Sequence, residues 1–129
     1  MYDLSQHINS TGARVIVVRF PLHDIFGVEV PAVYDWRMHA ILIESGLRPI
    51  RRRSVLAHEA IHAEYRDHPT KLNHYKLEHR ADLFAARNLI DPVALSDLQH
   101  CYPDNPEKWC ISLRVHEHLL RTYLGQTQK

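Results

Sequence analysis

Pro49 divides the chain into two halves with different hydrophobic periods, and that switch limits the possible folds more than any other feature. Before it, "ARVIVVRF" (13 to 20), "GVEVPAVYD" (27 to 35) and "HAILIES" (39 to 45) are dense in β-branched and aromatic residues and are punctuated by Pro21, Gly27, Pro31 and Gly46. Such runs suit a pleated, half-buried surface and predict three short strands. The expectation is a small, mainly antiparallel sheet, with a short helix carrying Leu4 and Ile8 ahead of it. After Pro49, apolar residues Val55, Leu56, Ile61 and Tyr65 recur with no glycine or proline until Pro69, which predicts a helix over 50 to 66. "HYKLEHRADLFAARNLI" (74 to 90) puts Leu77, Ala81, Phe84, Ala85 and Leu89 on one face of a second helix that Pro92 ends. Asp91 is placed to cap a further helix with Pro92 at its first position, and "ISLRVHEHLLRTYL" offers Leu113, His116, Leu120 and Leu124 for a last one. Strands followed by helices give an α+β fold: a strand-rich part (1–48), a two-helix part (49–91) and a helical C-terminal segment (92–129), together one domain.

The chain's 129 residues suffice for one hydrophobic core without staples. Hydrophobic residues at 45%, charged residues at 24% and a formal charge of +1 give no overall attraction to nucleic acid or to a membrane surface. The start "MYDLSQHINSTG" lacks a basic stretch followed by an apolar run, and no window approaches the roughly 18 apolar residues of a membrane span. A cytoplasmic protein is expected, with no membrane partner, and with Cys101 and Cys110 of "CYPDNPEKWC" as free thiols in a reducing compartment.

The chemistry concentrates in "VLAHEAIHAEYRDH" (55 to 68). His58, Glu59 and His62 form H-E-x-x-H within the predicted helix. Four residues turn a helix through about 400° and rise about 6 Å, so both imidazoles leave one face and can share a tetrahedral ion. Glu59 stands about 100° away, beside the site, where a base can take a proton from a water acidified by the metal. Eleven histidines and seven glutamates would form this motif by chance in about one such sequence in twenty. "HEH" at 116 to 118 is a weaker pattern, because positions two apart point to different sides of a helix.

Two arrangements compete for the third protein ligand. His68 follows His62 by six residues, as in H-E-x-x-H-x-x-G-x-x-H, but Tyr65 stands where that motif needs glycine and both methionines, Met1 and Met38, lie upstream. Alternatively, Glu78 and Asp82 share a face of the second helix. Glu78 would bind the metal, and Asp82 would accept a hydrogen bond from the free ring N–H of a ligand histidine, fixing its tautomer.

"VLAHEAIH" together with "LEHRADLFAARNLID" resembles the ImmA/IrrE-type (DUF955) metallopeptidases. The second family motif is matched by Glu78, Ala81, Asp82, Phe84, Ala85, Leu89 and Ile90, with the proline, Pro92, one place late; Ile61 stands where the family often has a small residue. The resemblance covers most of residues 30 to 95. It implies a gluzincin-like zinc endopeptidase with His58, His62 and Glu78 on Zn2+ and Glu59 as catalytic base. It further implies a phage or mobile-element setting in a bacterial host cell and a repressor-like transcription regulator as protein substrate.

His68, His74 and Tyr75 are candidates to donate to the tetrahedral oxyanion, with His79 behind them because it points away from Glu78. The run 39 to 45, if an edge strand, could bind extended substrate. "RRR" (51 to 53) is expected to be a solvated surface or partner contact, and Trp36 and Trp109 core or interface aromatics. The helix, turn, helix rhythm of "NPEKWCISLRVHEHLLRTYL" keeps a second reading open, a non-catalytic zinc-containing antirepressor or a DNA-binding module acting through the C-terminal helices.

Overall fold

The computed structural model describes residues 1–127. Their order is α1 (Leu4–Thr11), β1 (Arg14–Val18), α2 (His23–Phe26), β2 (Ala32–Asp35), β3 (Ala40–Glu44), α3 (Pro49–Tyr65), α4 (His74–Leu89), α5 (Pro92–Cys101), α6 (Pro106–Leu113) and α7 (Glu117–Thr127). This is an α+β fold whose strands all precede Pro49. No helix among the described residues is long and apolar enough to cross a membrane. Cys101 and Cys110 are free thiols.

The strand order is β1-β3-β2, with β1 parallel to β3 (Arg14 opposite Ala40, Val18 opposite Glu44) and β2 antiparallel to it (Ala32 opposite Ile43, Asp35 opposite Ala40). The sheet is therefore mixed rather than mainly antiparallel. β2 and β3 form a tight hairpin, in which Asp35 Oδ1 accepts from the Arg37 N–H at 2.9 Å and His39 takes a left-handed φ of 49°. β1 lies on the far side of β3 from β2, and the chain passes through α2 between β1 and β2. A second difference concerns the expected edge strand at 39 to 45: β3 is the central strand. Its residues Ala40, Ile41, Leu42 and Ile43 are all buried, and an unbroken apolar run is what a strand covered on both faces requires. Ile41 and Ile43 pack with Tyr34 of β2 and with Leu56, Ala60 and Ala63 of α3, whereas Ala40 and Leu42 face Val18 and Leu22 on the other side. The edges are β2 and β1, the latter with Val15 and Val17 half exposed between the exposed Arg14 and Arg19.

α3 starts with Pro49 after an extended Arg48, as a proline at the first helical position favours. It ends where Arg66 turns left-handed (φ 50°), so that the Asp67 N–H donates to the His62 carbonyl at 2.9 Å. α4 packs along α3 through Ala57, Ala81, Ala85 and Ala86, none of which has any exposed surface. Methyl groups at a helix contact allow the axes to approach toward the short end of the usual range of about 8–10 Å. Side chains rooted on facing turns can then converge.

The long last helix expected from "ISLRVHEHLLRTYL" is broken in two. Arg114 is left-handed (φ 58°), and the Val115 N–H donates to the Cys110 carbonyl at 3.0 Å, closing α6 at Leu113. Val115 in the break and Leu119 and Leu120 of α7 all enter the core shared with α3 and α4. Two anchors hold the turn against α3: Arg53 Nη1 donates to the Arg114 carbonyl at 2.7 Å, and the His116 N–H donates to Ser54 Oγ at 2.9 Å. Of the three arginines at 51 to 53, Arg53 is thus a structural tie, while Arg51 stands exposed at the edge of the cleft described next.

Candidate metal centre

His58 and His62 lie one turn apart on α3, and Glu78 reaches them from the first half of α4. His58 Nε2 is 3.1 Å from His62 Nε2 and 2.7 Å from Glu78 Oε2, and His62 Nε2 is 3.5 Å from the same oxygen. Ligand atoms bonded to zinc at about 2.1 Å in tetrahedral geometry sit about 3.4 Å from one another. The three atoms therefore already lie close to the spacing that such an ion demands, and they are a group able to hold one.

The other nitrogen of each imidazole is engaged by a carboxylate. His58 Nδ1 lies 2.7 Å from Asp82 Oδ1, and His62 Nδ1 lies 2.8 Å from Asp67 Oδ2. When each Nε2 lone pair serves a metal, each Nδ1 carries the hydrogen and donates it to its aspartate, which fixes tautomer and ring orientation. Both aspartates are held from behind. Arg80 pairs with Asp67 while its guanidinium lies 4.2 Å over the Tyr65 ring, and His118 Nε2 approaches Asp82 Oδ2 at 2.7 Å.

Glu59 is buried between α3 and β2, and among the described residues its Oε2 has no hydrogen-bond partner. Burial pushes its carboxyl upward against the pull of His58 and His62 and a hydrogen bond with the Tyr34 backbone. A buried oxygen without a partner, directly beside three convergent donor atoms, is what a base awaiting a proton presents. Among themselves the donor groups pair as ions. Burial acts to lower His58, but hydrogen bonds to Asp82 and Glu78 outweigh it and raise the imidazole to about 10. Burial likewise acts to raise Glu78, yet hydrogen bonds with His58 and His62 hold it well below the ordinary carboxylate range. A cation in the site would replace the protons that now reconcile these groups. The residues thus fit the group that the motif implies.

The four residues open onto a cleft of about 640 Å³ between β2, α3, α4 and the start of α7. Its walls are apolar on the strand side, with Val28, Val30 and Pro31, and carry His74, His116 and His118 opposite. Of the expected oxyanion donors, only His74 lines the cleft. Tyr75 is almost fully exposed outside it, and His68 lies against Trp36 with ring centroids 3.8 Å apart. Two participants escaped the sequence reading. Asp67 sits inside a polar loop pattern and gains its place only through the left-handed turn at Arg66. His118 belongs to the "HEH" that helical spacing had set aside; it reaches Asp82 because α7 begins at Glu117 and crosses α4.

No curated protein matches the chain significantly. The model of one family does, over residues 9–116, a span that takes in the sheet, both metal-site helices and the turn before α7. On that match the chain belongs to the Peptidase_M78 family, the IrrE N-terminal-like domain.

Proposed function

We propose that the chain is a zinc-dependent endopeptidase that cleaves a regulatory protein, a repressor of a phage or mobile element. The observation that carries the hydrolytic reading is the convergence of His58 Nε2, His62 Nε2 and Glu78 Oε2 beside the unpartnered Oε2 of Glu59. His58, His62 and Glu78 would hold the ion, which when bound polarises a peptide carbonyl and acidifies the attacking water. Glu59 takes the proton that the water loses on attack and delivers it to the nitrogen of the leaving amine as the C–N bond breaks. Its burial suits the first step, because a carboxyl pushed above its ordinary range by desolvation is a stronger base toward the water's proton. His74, from the cleft wall, is the sequence candidate placed to donate to the developing oxyanion. Because β2 is an edge strand and lines the cleft, its free side suits an extended substrate adding as a further strand. The apolar residues at 28 to 31 would then receive substrate side chains.

The test is Glu59→Gln against wild type, both loaded with zinc, with a proteome-derived peptide library and a co-produced repressor read by mass spectrometry. The variant should keep its metal and fold and lose cleavage by about a hundred- to ten-thousandfold. Cleavage retained in the variant would refute the assigned base. A wild type that holds zinc but cuts nothing would favour the second reading, a non-catalytic zinc-containing antirepressor.

A further inference from the structure

The two ligand histidines are supported by parallel chains of contacts. One runs His62, Asp67, Arg80 and lies within α3, its terminal turn and α4. The other runs His58, Asp82, His118 and draws its last member from α7, 36 residues beyond Asp82. We propose that His118 is a positioning residue for the metal centre: by holding Asp82 Oδ2 it locks the carboxylate whose other oxygen orients the His58 ring, so α7 is a working part of the site. The inference rests on the metal reading above, not on the identity of any substrate.

His118 is 60% exposed, and an exposed ion pair by itself contributes little. What separates this pair from a surface contact is its partner. Asp82 is 19% exposed, and its Oδ1 is already committed to His58 Nδ1 at 2.7 Å. An aspartate carboxylate rotates broadly about its terminal bond, so one bond to His58 leaves its plane free and a second, on the opposite oxygen, fixes it. His118 is itself held on a firm base. The His118 N–H donates to His116 Nδ1 at 3.2 Å, the His116 N–H is bonded to Ser54 on α3, and Leu119 and Leu120 are buried beside it. Precision at a metal site comes from such second contacts on rigid elements.

The experiment compares the wild-type chain, His118→Ala and His118→Gln, each stripped of metal and titrated with zinc against a chromophoric chelator. Glutamine can place an amide N–H near the position of imidazole Nε2; alanine cannot. His118→Ala should weaken zinc binding about tenfold and His118→Gln by no more than about twofold. The metal-free melting temperatures of all three should agree within about 2 °C, because the side chain is largely exposed. With cobalt in place of zinc, the visible absorption bands should shift in His118→Ala and return in His118→Gln. Wild-type affinity and spectrum in His118→Ala would overturn the inference, and so would a loss that glutamine does not rescue. A wild type that binds no stoichiometric zinc would overturn the metal centre and this inference together. Zinc affinity that depends on His118, in a protein that hydrolyses nothing, would support the inference and count against the peptidase reading alone.

Discussion

Replacing Asp67 with alanine removes one carboxylate from between two donors. Asp67 is 7% exposed and accepts from His62 Nδ1 at 2.8 Å on one oxygen and from Arg80 on the other. Hydrogen bonds to charged groups contribute about 1.5–3 kcal/mol each, and their loss also leaves the donors to find other partners. Arg80 is 31% exposed, so water compensates part of its loss and its pair belongs at the low end. A destabilisation of about 3 kcal/mol follows. Unfolding entropy of roughly 2.1 cal/mol/K per residue converts this to a fall of about 11 °C in melting temperature for a chain of this size. Scanning calorimetry of the metal-free protein reads that fall directly. Chelator competition should show zinc held about 10- to 100-fold more weakly, since the His62 ring loses its orienting partner. Asp67→Asn keeps an acceptor for His62 but loses the charge facing Arg80, so it should lie between the two in both assays. If Asp67→Ala melts within about 2 °C of wild type and binds zinc equally well, the carboxylate does not hold the ring and the account of the site is wrong.

Ala81→Leu tests the close approach of α3 and α4. Ala81 has no exposed surface, and overpacking at such a contact costs about 1–3 kcal/mol, or roughly 4–11 °C. Zinc affinity should fall with it, because His58 and His62 are on one helix and Glu78 on the other; a variant that melts lower yet binds zinc normally would show that helix spacing does not govern the site. The metal-free protein should also lose stability as pH rises. His58, raised from 6.5 to about 10, contributes stability fully present below pH 6.5 and lost as pH climbs through about 10. Glu59, raised by burial, acts in the same direction, since the folded state again binds more protons than the unfolded one. Urea midpoints of the metal-free protein at pH 6.5, 8 and 10 should decline in that order, and a flat or rising series would contradict the ion-pair cluster.

The helices of the site were legible because helical spacing is a local property. The apolar residues of α3 and α4 mark their buried faces, and the chain punctuation at Pro49, Pro69 and Pro92 brackets them closely. The pairing of the strands was not legible: a short apolar run such as 40 to 43 shows burial but not which neighbour lies on either side. That is why the central strand was expected at an edge. Asp67 and His118 escaped for a related reason. Each owes its position to a left-handed residue, Arg66 or Arg114, that carries no glycine signal in the sequence, and each acts on a partner brought near only by tertiary packing.

β1 leaves an unpaired row of backbone groups at the far edge of the sheet from the cleft, with Val15 and Val17 facing out. Such an edge invites a second copy to dock alongside and begin a growing stack. Arg14 and Arg19 stand at its two ends. In an antiparallel pairing of two copies centred between Ile16 and Val17, Arg14 of each would face Arg19 of the other, so like charges would meet at both ends of the seam. The arginines thus put like charges in the way of that pairing at the β1 edge.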